Sequence, residues 1–487
     1  MTLPGVGGGS DRPAAAPGPR GGVAVLGNYG NRNLGDEAGL ATLLQFLGRH
    51  YPGLAVCALS ERPEETRQRH GIEAVYSSPA RKRNRPEERS AAGPSGGGSG
   101  GEPVKGRSAL RTMLKRLPPI YLGLRILVEA PGAVVRSART AVFLVQSFAL
   151  LRRVRVLVIG GGGQISDHFE GIWGFPLQLF AWSLLARCAG AQILVLNVGA
   201  GPLNLRASRM LFRWTLRLAT YRSHRDERSR RLLEEIGLTD PVPVVADLVF
   251  AWRPAATAAV PGDGRLPAKR AVGVNVFPFR DRRYWPIGDD AAYHAYLDVL
   301  GRFVHWLLQE GYQVRLFPTQ LKADTRVIAD VMERLTPTLP SRLEERLSVA
   351  RIDTVDDLAA SVRDRDIIVA TRFHGIVMSM LAGRPILALC NEPKMTDLMT
   401  DMGQARHCLP LEDLTLDGLR HRFWELEADS ERAAAEIRER AARAGDAVEQ
   451  QLAAVFRPLF GPSAAPAATG NAAPSAVPLP PPQEPAL

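Results

Sequence analysis

The chain has 487 residues, of which 45% are hydrophobic, so it is long enough for two domains of ordinary size. Its formal net charge of +11 would favour an anionic partner, but residues 81–155 contain 16 basic and 4 acidic side chains and so account for the whole surplus. The rest of the chain is nearly neutral, which excludes an extended nucleic-acid surface there.

The four cysteines and the N-terminal segment indicate where the protein works. The cysteines have neither the CxxC nor the Cys/His spacing of a zinc site, so we expect reduced thiols and no bound metal. The N-terminus lacks the apolar core of a secretory signal, and the apolar run AVFLVQSFALL is shorter than the roughly 20 residues that cross a bilayer. The sequence therefore predicts a cytoplasmic protein.

Residues 21–252 alternate apolar runs with amphipathic segments, which is typical of a parallel sheet covered by helices. The predicted strands, in chain order, are GVAVLG, LAVCALS, VRVLVIG, QILVLNVG, a short strand ending at SHRDE, and VPVVADLVF. Residues 1–20 and the insert 80–107 are rich in Gly, Pro and Ser and are predicted to be disordered. Residues 108–153 are predicted to form a basic helical stretch within this first domain.

A Pro/Ala/Gly-rich linker at 253–269 precedes a second series of strands and helices at 270–412. Its predicted strands are AVGVNVFP, QVRLFPT, DIIVAT and PILALC. A helical segment at 413–460 and a disordered tail at 461–487 follow. The predicted fold class is α/β, with two Rossmann-like doubly wound domains that face each other across a cleft.

The loop NYGNRNLGDE follows the first predicted strand, at the sheet edge where parallel α/β proteins bind ligands. It departs from the GxGxxG pattern of dinucleotide sites. The residues predicted to bind substrate there are Asn28, Asn31, Asn33 and Gly35, and Asp36 is predicted to be catalytic. The alternative is that the loop only forms a tight turn and that Asp36 only caps the helix.

The run GGGG, from Gly160 to Gly163, follows the strand VRVLVIG. Without side chains its backbone can approach a phosphate or a sugar closely. The residues predicted to bind a donor are Gly161, Gly162 and Gly163, and Gln164 is predicted to bind substrate. A flexible joint between strand and helix is the alternative.

Two further strand ends supply basic side chains. Arg225 in SHRDE can hold a carboxylate or a phosphate in bidentate fashion, although a surface ion pair with Asp226 or Glu227 is an equal alternative. In DIIVATRFHG, Arg372 suits an anionic substrate and His374 can transfer a proton near neutral pH. A structural histidine at a helix start is the alternative for His374.

Four segments in this order resemble the polysaccharide pyruvyl transferase family: GNYGNRNLGDEA, VLVIGGGGQISD, SHRDERSRRLLEEIG with a later VVADLVF, and ATRFHGIVMSMLAGRPILALCNEPK. The resemblance spans most of residues 22–405, and RFHG is its most specific part. It implies a GT-B-like pair of domains and transfer of a pyruvyl group from phosphoenolpyruvate to two sugar hydroxyls as a ketal, in cell-envelope or exopolysaccharide biosynthesis. It assigns Arg372 and His374 to the donor, matches Arg225 to an arginine of the family, and implies no cofactor.

The chemistry of phosphoenolpyruvate agrees with these residues. Arginines and glycine N–H groups would hold its two anionic groups, and His374 is suited to protonate its methylene carbon. The expected acceptor is a sugar or a lipid-linked saccharide. A GT-B glycosyltransferase that uses a nucleotide-sugar and a non-catalytic binding protein of polysaccharide assembly stay open as alternatives.

The basic stretch from Lys105 to Arg155 has two interpretations of equal weight. Its amphipathic segments can contact an anionic membrane peripherally, at the inner face. They can equally pack on the first domain with their arginines in solvent.

Overall fold

The computed structural model describes residues 21–79, 137–254 and 270–462, apart from residues 169 and 286. Several predicted segments lie outside the described residues, wholly or for the most part: the N-terminus 1–20, the insert 80–107, the first part of the basic stretch, the linker 253–269 and the tail 461–487.

The first domain contains a parallel sheet of six described strands, in the order β3-β2-β1-β4-β5-β6. The strands are β1 (Gly22–Leu26), β2 (Val56–Ser60), β3 (Glu73–Tyr76), β4 (Val154–Gly160), β5 (Gln192–Val198) and β6 (Tyr221–His224). Every residue of β1 is buried, because helices cover both faces of the sheet, and this explains its continuous apolar sequence.

The second domain contains a parallel sheet of six described strands in the order β12-β11-β10-β7-β8-β9. They are β7 (Ala271–Asn275), β8 (Gln313–Phe317), β9 (Leu347–Val349), β10 (Ile367–Ala370), β11 (Ile386–Cys390) and β12 (Cys408–Pro410). The two sheets therefore have the same topology. The strand order reverses between β1 and β4 in the first sheet and between β7 and β10 in the second. This confirms the two Rossmann-like doubly wound domains, and the two reversal points are where such folds bind ligands.

Helices flank both sheets. Those of the first domain are α1 (Leu34–His50), α2 (Pro63–His70), α3 (137–151), α4 (Phe175–Cys188), α5 (Arg206–Leu218) and α6 (Glu227–Glu235). Those that follow are α7 (Asp290–Gln309), α8 (Ala323–Leu335), α9 (Ser341–Glu344), α10 (Val355–Arg363), α11 (Phe373–Leu381), α12 (Pro393–Asp401), α13 (Leu416–Ala428) and α14 (Ser430–Phe460). Among the described helices, none combines the length and the apolar character that crossing a bilayer requires.

The last helix, α14, joins the two domains. Ile437 packs in a core shared with β10 and α11, whereas Val448 and Phe456 pack against β1 and α1. A Cβ atom added at Gly445 would lie 2.7 Å from the carbonyl oxygen of Phe250, so glycine allows α14 to approach this part of the first domain closely. The C-terminal helical segment thus returns to the first domain, which the sequence left undecided.

Two predictions of local structure were wrong or incomplete. VPVVADLVF is not a strand: it forms one isolated bridge, between His224 and Val244, and then a 3-10 helix at Leu248–Ala251. Pro243 in this segment cannot donate to a strand ladder, and Asp247 caps the turn by accepting from the backbone N–H of Val249 at 3.1 Å. The strands β3, β9 and β12 were not predicted, because they are edge strands of three or four residues.

Candidate functional site

The loop after β1 meets the loop after β8 across the domain boundary. The backbone N–H of Leu34 donates to the carbonyl oxygen of Thr319 at 2.9 Å, and that of Leu321 donates to Arg32 at the same distance. An antiparallel bridge between Asn33 and Gln320 lies between these two bonds. The start of α1 is therefore held directly against the second domain.

This contact brings Gly35 and His374 together, although 339 residues separate them. A Cβ atom added at Gly35 would lie 1.9 Å from Nδ1 of His374, so the imidazole occupies the space that any side chain at Gly35 would need. The most specific motif of the second domain thus contacts the first motif of the chain. The two sequence motifs form one site.

Asp36 faces this site from the first turn of α1. Its Oδ2 accepts hydrogen bonds from the side-chain amides of Asn28 at 3.0 Å and Asn33 at 2.9 Å. Burial raises the pKa of Asp36 to about 7, and the charges of Glu37 and Asp247 add to this effect. The helix cap is Asn33, which accepts from the N–H of Gly35, so a capping role alone does not account for Asp36. A carboxyl group with a pKa near 7 can exchange protons at neutral pH.

The remaining amide of the loop supports this arrangement. The side-chain amide of Asn31 donates to Oδ1 of Asn28 at 2.6 Å and to Glu61 at 3.1 Å. Asn31 therefore fixes the orientation of Asn28, whose own amide group then faces Asp36.

The glycine run lies beside Asp36. Gly161 and Gly162 both have φ of +67°, and a Cβ atom at Gly162 would lie 2.9 Å from Oδ1 of Asp36. The run is not a loose joint, because the N–H of Gly161 donates to Leu196 at 3.0 Å and the carbonyl of Gly162 accepts from Gly199 at 2.9 Å. A Cβ atom at Gly163 would meet nothing within 4 Å, so this end of the run borders open space.

Gln164 follows the run and is buried. Its amide nitrogen donates to the carbonyl oxygen of Gly161 at 3.2 Å, and its Oε1 has no hydrogen-bond partner among the described residues. Nε2 of His374 and Oδ1 of Asn275 are likewise buried without such a partner. Because buried polar atoms normally have partners, these three atoms are candidates for ligand contacts.

Arg225 follows β6 and is buried at the same site, so the surface location considered for it is wrong. The ion pair with Asp226 is present, because Nε of Arg225 donates to Oδ2 of Asp226 at 3.4 Å. Its guanidinium lies 4.2 Å from the ring centroid of Phe373, and Nη1 donates to Oδ2 of Asp247 at 3.2 Å. That same oxygen lies 4.0 Å from Nε2 of His374. Asp247 therefore links the arginine of the first domain to the histidine of the second.

Sequence reasoning missed Asp247 because its segment resembled a strand. The signal that could have found it is the segment VVADLVF, which takes part in the family resemblance. Lys394 and Glu392, in the NEPK segment after β11, were also missed. Their side chains pair at 2.6 Å and lie near enough for the charge of Lys394 to affect His374.

Burial lowers the pKa of His374 to about 4, and the charges of Arg225, Lys394 and Arg372 act in the same direction, against Asp247. The imidazole is therefore neutral at pH 7. A negative charge brought beside the ring would raise this pKa again.

Arg372 contacts the second domain's own loop rather than His374. Its Nε donates to Oδ1 of Asp324 at 3.0 Å, and its guanidinium lies 4.5 Å from the ring centroid of Phe277. Burial alone would lower the pKa of Arg372, but Asp324 raises it. Asp324 also accepts from the backbone N–H groups of Thr319 and Gln320, so Arg372 supports the loop that pairs with the first domain.

Comparison with known proteins gives a family and a fold. A family model described as polysaccharide pyruvyl transferase matches residues 33–392. No curated protein matches the chain. The described residues contain no group of three or more His, Cys, Asp or Glu side chains that could hold a metal ion.

Among solved structures, an S. aureus MnaA structure with UDP is 11% identical, with a TM-score of 0.51, and the match covers 91% of this chain and 97% of that one. A UDP-GlcNAc 2-epimerase from Neisseria meningitidis bound to UDP-GlcNAc is 12% identical, with a TM-score of 0.50 and coverages of 89% and 99%. A further UDP-N-acetylglucosamine 2-epimerase is 11% identical, with a TM-score of 0.53 and coverages of 90% and 95%. At such identities the likeness establishes a shared two-domain fold.

Proposed function

The chain belongs to the polysaccharide pyruvyl transferase family, and we propose that it transfers a pyruvyl group from phosphoenolpyruvate to two hydroxyls of a sugar as a ketal. The contact between Gly35 and His374 is the observation that carries this proposal. It places an imidazole, a carboxyl group of pKa about 7, a buried arginine and a glycine backbone at one crevice. Such a set suits a small donor that has two anionic groups and must be protonated.

In this proposal Arg225 and the glycine run bind the donor. A guanidinium holds a carboxylate or a phosphate through two parallel hydrogen bonds, and exposed N–H groups at positive φ form a concave site for anions. The N–H of Gly161 is already bonded to Leu196, so this second role is assigned to Gly162, which has a positive φ, and to Gly163, where the run borders open space. Arg372 completes the positive surroundings of the donor, as the family resemblance implies.

Proton transfer begins at His374. The phosphate and the carboxylate of the donor bring negative charge beside the ring, which raises its pKa from about 4 and loads it with a proton. The imidazolium then protonates the methylene carbon, and C2 becomes an oxocarbenium-like centre. His374 therefore acts as the general acid, and its proton arrives together with the donor.

The sugar hydroxyls attack C2 in sequence. The first hydroxyl adds to C2 and gives its proton to Asp36, whose pKa of about 7 allows it to accept and release protons. Phosphate then leaves from C2, and the second hydroxyl closes the ketal. Of the two hydroxyl protons, one replaces the proton given to the methylene carbon and the other leaves with phosphate.

The test uses the full chain with either phosphoenolpyruvate or UDP-GlcNAc, and with a panel of free and lipid-linked hexoses. Released phosphate and released nucleotide are measured, and phosphoenolpyruvate labelled with ¹³C at C2 is followed by NMR. We expect phosphate release that requires both donor and acceptor, with the label appearing as a ketal carbon. Nucleotide release without phosphate release would support a glycosyltransferase instead, and donor binding without either product would support a binding protein.

A further inference from the structure

One face of the first domain exposes many large apolar side chains. Helices α3, α4 and α5 cover this face: the rings of Phe143 and Trp182 lie 5.9 Å apart, and those of Phe180 and Trp214 lie 5.6 Å apart. Of the thirteen exposed large hydrophobic residues in the described chain, nine lie on these helices or on the turns beside them. The most exposed members include Val145, Trp173, Leu184, Leu205, Met210 and Trp214. We call this surface the α3–α5 face.

A stripe of arginines runs along the same face. Arg206, Arg209, Arg213 and Arg217 follow one another on α5 at intervals of three or four residues, which places them on one side of the helix. None of the four forms an ion pair with another described residue. Some arginines elsewhere in the described chain are paired instead, as Arg283 is with Asp281 and Asp330. Glu235 lines the same depression as the four arginines, so the stripe keeps a positive surplus.

We propose that the α3–α5 face docks on an anionic lipid bilayer. A helix with arginines beside exposed Trp, Met and Leu side chains suits the headgroup region, where phosphates meet the cations and the acyl boundary receives the apolar groups. Nucleic acid would match the charge but not these aliphatic side chains. A second copy of the chain would bring the same positive charge to the face. Residues 81–136 would likewise bring positive charge to the face, since they contain 12 basic and 4 acidic side chains.

The α3–α5 face adjoins the mouth of the cleft. The loop that continues from the glycine run contains Asp167, which accepts from the backbone N–H groups of Asn204 at 3.0 Å and Leu205 at 2.7 Å. Leu205 and Trp173 thus lie where this loop reaches the surface. Docking would bring the cleft to a saccharide held in the bilayer. This last consequence rests on the proposed function, whereas the docking itself does not.

The test compares two triple variants of the full chain for binding to vesicles, with no substrate present. The first replaces stripe residues, Arg206→Gln, Arg213→Gln and Arg217→Gln, and leaves Arg209, which donates to the carbonyl of Leu203. The matched control makes the same change of charge at exposed arginines elsewhere, with Arg302→Gln, Arg342→Gln and Arg443→Gln. Co-sedimentation is measured with phosphatidylcholine vesicles, with and without phosphatidylglycerol, at low and high salt.

We expect wild type and control to bind only the vesicles that contain phosphatidylglycerol, and to bind more weakly at high salt. Each arginine near an anionic surface contributes roughly a fivefold factor, so the stripe variant should bind on the order of 100-fold more weakly. Equal binding by the two variants, or no binding by wild type at low salt, overturns the proposal. Circular dichroism confirms that each variant is folded.

Two further measurements separate the other occupants of this face. Lipids brominated in the acyl chains should quench Trp214, so quenching should fall in Trp214→Phe compared with wild type. Unchanged quenching contradicts the insertion of α5. A duplex DNA that binds as tightly as the vesicles, or a dimer in sedimentation that the stripe variant abolishes, would assign the face to nucleic acid or to a second copy.

Discussion

Arg225 and Arg372 occupy similar surroundings in different domains. Each guanidinium lies over an aromatic ring, Phe373 for Arg225 and Phe277 for Arg372, and each is paired with a buried aspartate. The difference lies in what the aspartate does. Asp247 also faces His374, whereas Asp324 binds the backbone of the loop that pairs with the first domain. The pair of Arg225 and Asp247 therefore lies beside His374, whereas the pair of Arg372 and Asp324 supports the contact between the domains.

This difference locates the proposed chemistry on the side of Arg225. The pair of Arg225 and Asp247 lies beside both titratable groups, since the charge of Asp247 affects Asp36 and His374 alike. The pair of Arg372 and Asp324 supports the contact that brings Gly35 to His374.

Replacing the imidazole should have the largest effect. His374→Ala is expected to lower turnover by about 1,000-fold, within the range that general acid catalysis contributes, while the fold stays intact. Initial rates of phosphate release measure this effect, with circular dichroism as the control for folding. Turnover within a few-fold of wild type would remove His374 as the general acid.

Asp36→Asn should lower turnover by about 100-fold and yet stabilise the protein at pH 8. A carboxyl group whose pKa rises from 3.8 to about 7 on folding contributes stability only at low pH, and this contribution is lost as pH rises from about 4 to 7. Removing the charge should therefore raise the free energy of unfolding at pH 8 by about 1–3 kcal/mol, because Asp36 is only partly buried. Urea denaturation at pH 8 and pH 4 measures this, and a gain that is equal at both values would contradict the assignment.

A pair of glycine variants tests the contact between the domains. Gly35→Ala places a carbon 1.9 Å from His374 and should lower turnover by roughly 100-fold, because small displacements of catalytic groups have effects of this size. Gly39→Ala, one turn later in α1, meets nothing within 4 Å and should leave turnover unchanged while stabilising the helix by about 0.5–1 kcal/mol. If the two variants were equally active, the imidazole would not depend on Gly35.

Lysine variants of the two arginines compare the pairs directly. Lysine keeps the charge but loses the bidentate fork, so Arg225→Lys and Arg372→Lys should each raise the KM for the donor, by about tenfold in Arg225→Lys. Arg372→Lys should also lower the free energy of unfolding by about 1–2 kcal/mol, because the two hydrogen bonds of the guanidinium to Asp324 are lost. Steady-state kinetics and urea denaturation measure both effects. If the donor KM were unchanged in Arg372→Lys, Arg372 would have only the structural role of supporting the loop that pairs with the first domain.

The sequence predicts the elements of the site better than their contacts. Arg372 and His374 follow a buried strand and Asp36 follows the first strand, so the rule for strand ends finds them without a structure. The contact of Gly35 with His374 depends on how two domains meet, and no local pattern contains it. The pKa of His374 likewise depends on burial by both domains, so a histidine predicted to titrate near neutrality has a pKa of about 4.

We propose that an anionic donor binds between Asp36 and His374, and calorimetry can detect this binding without knowledge of the acceptor. At pH 7 the imidazole of His374 is neutral, so bound phosphoenolpyruvate should raise its pKa and draw a proton from the buffer. Titration in buffers of different ionisation enthalpy should show uptake of about one proton, and less in His374→Ala. Binding of phosphoenolpyruvate without proton uptake, or no binding at all, would contradict the account.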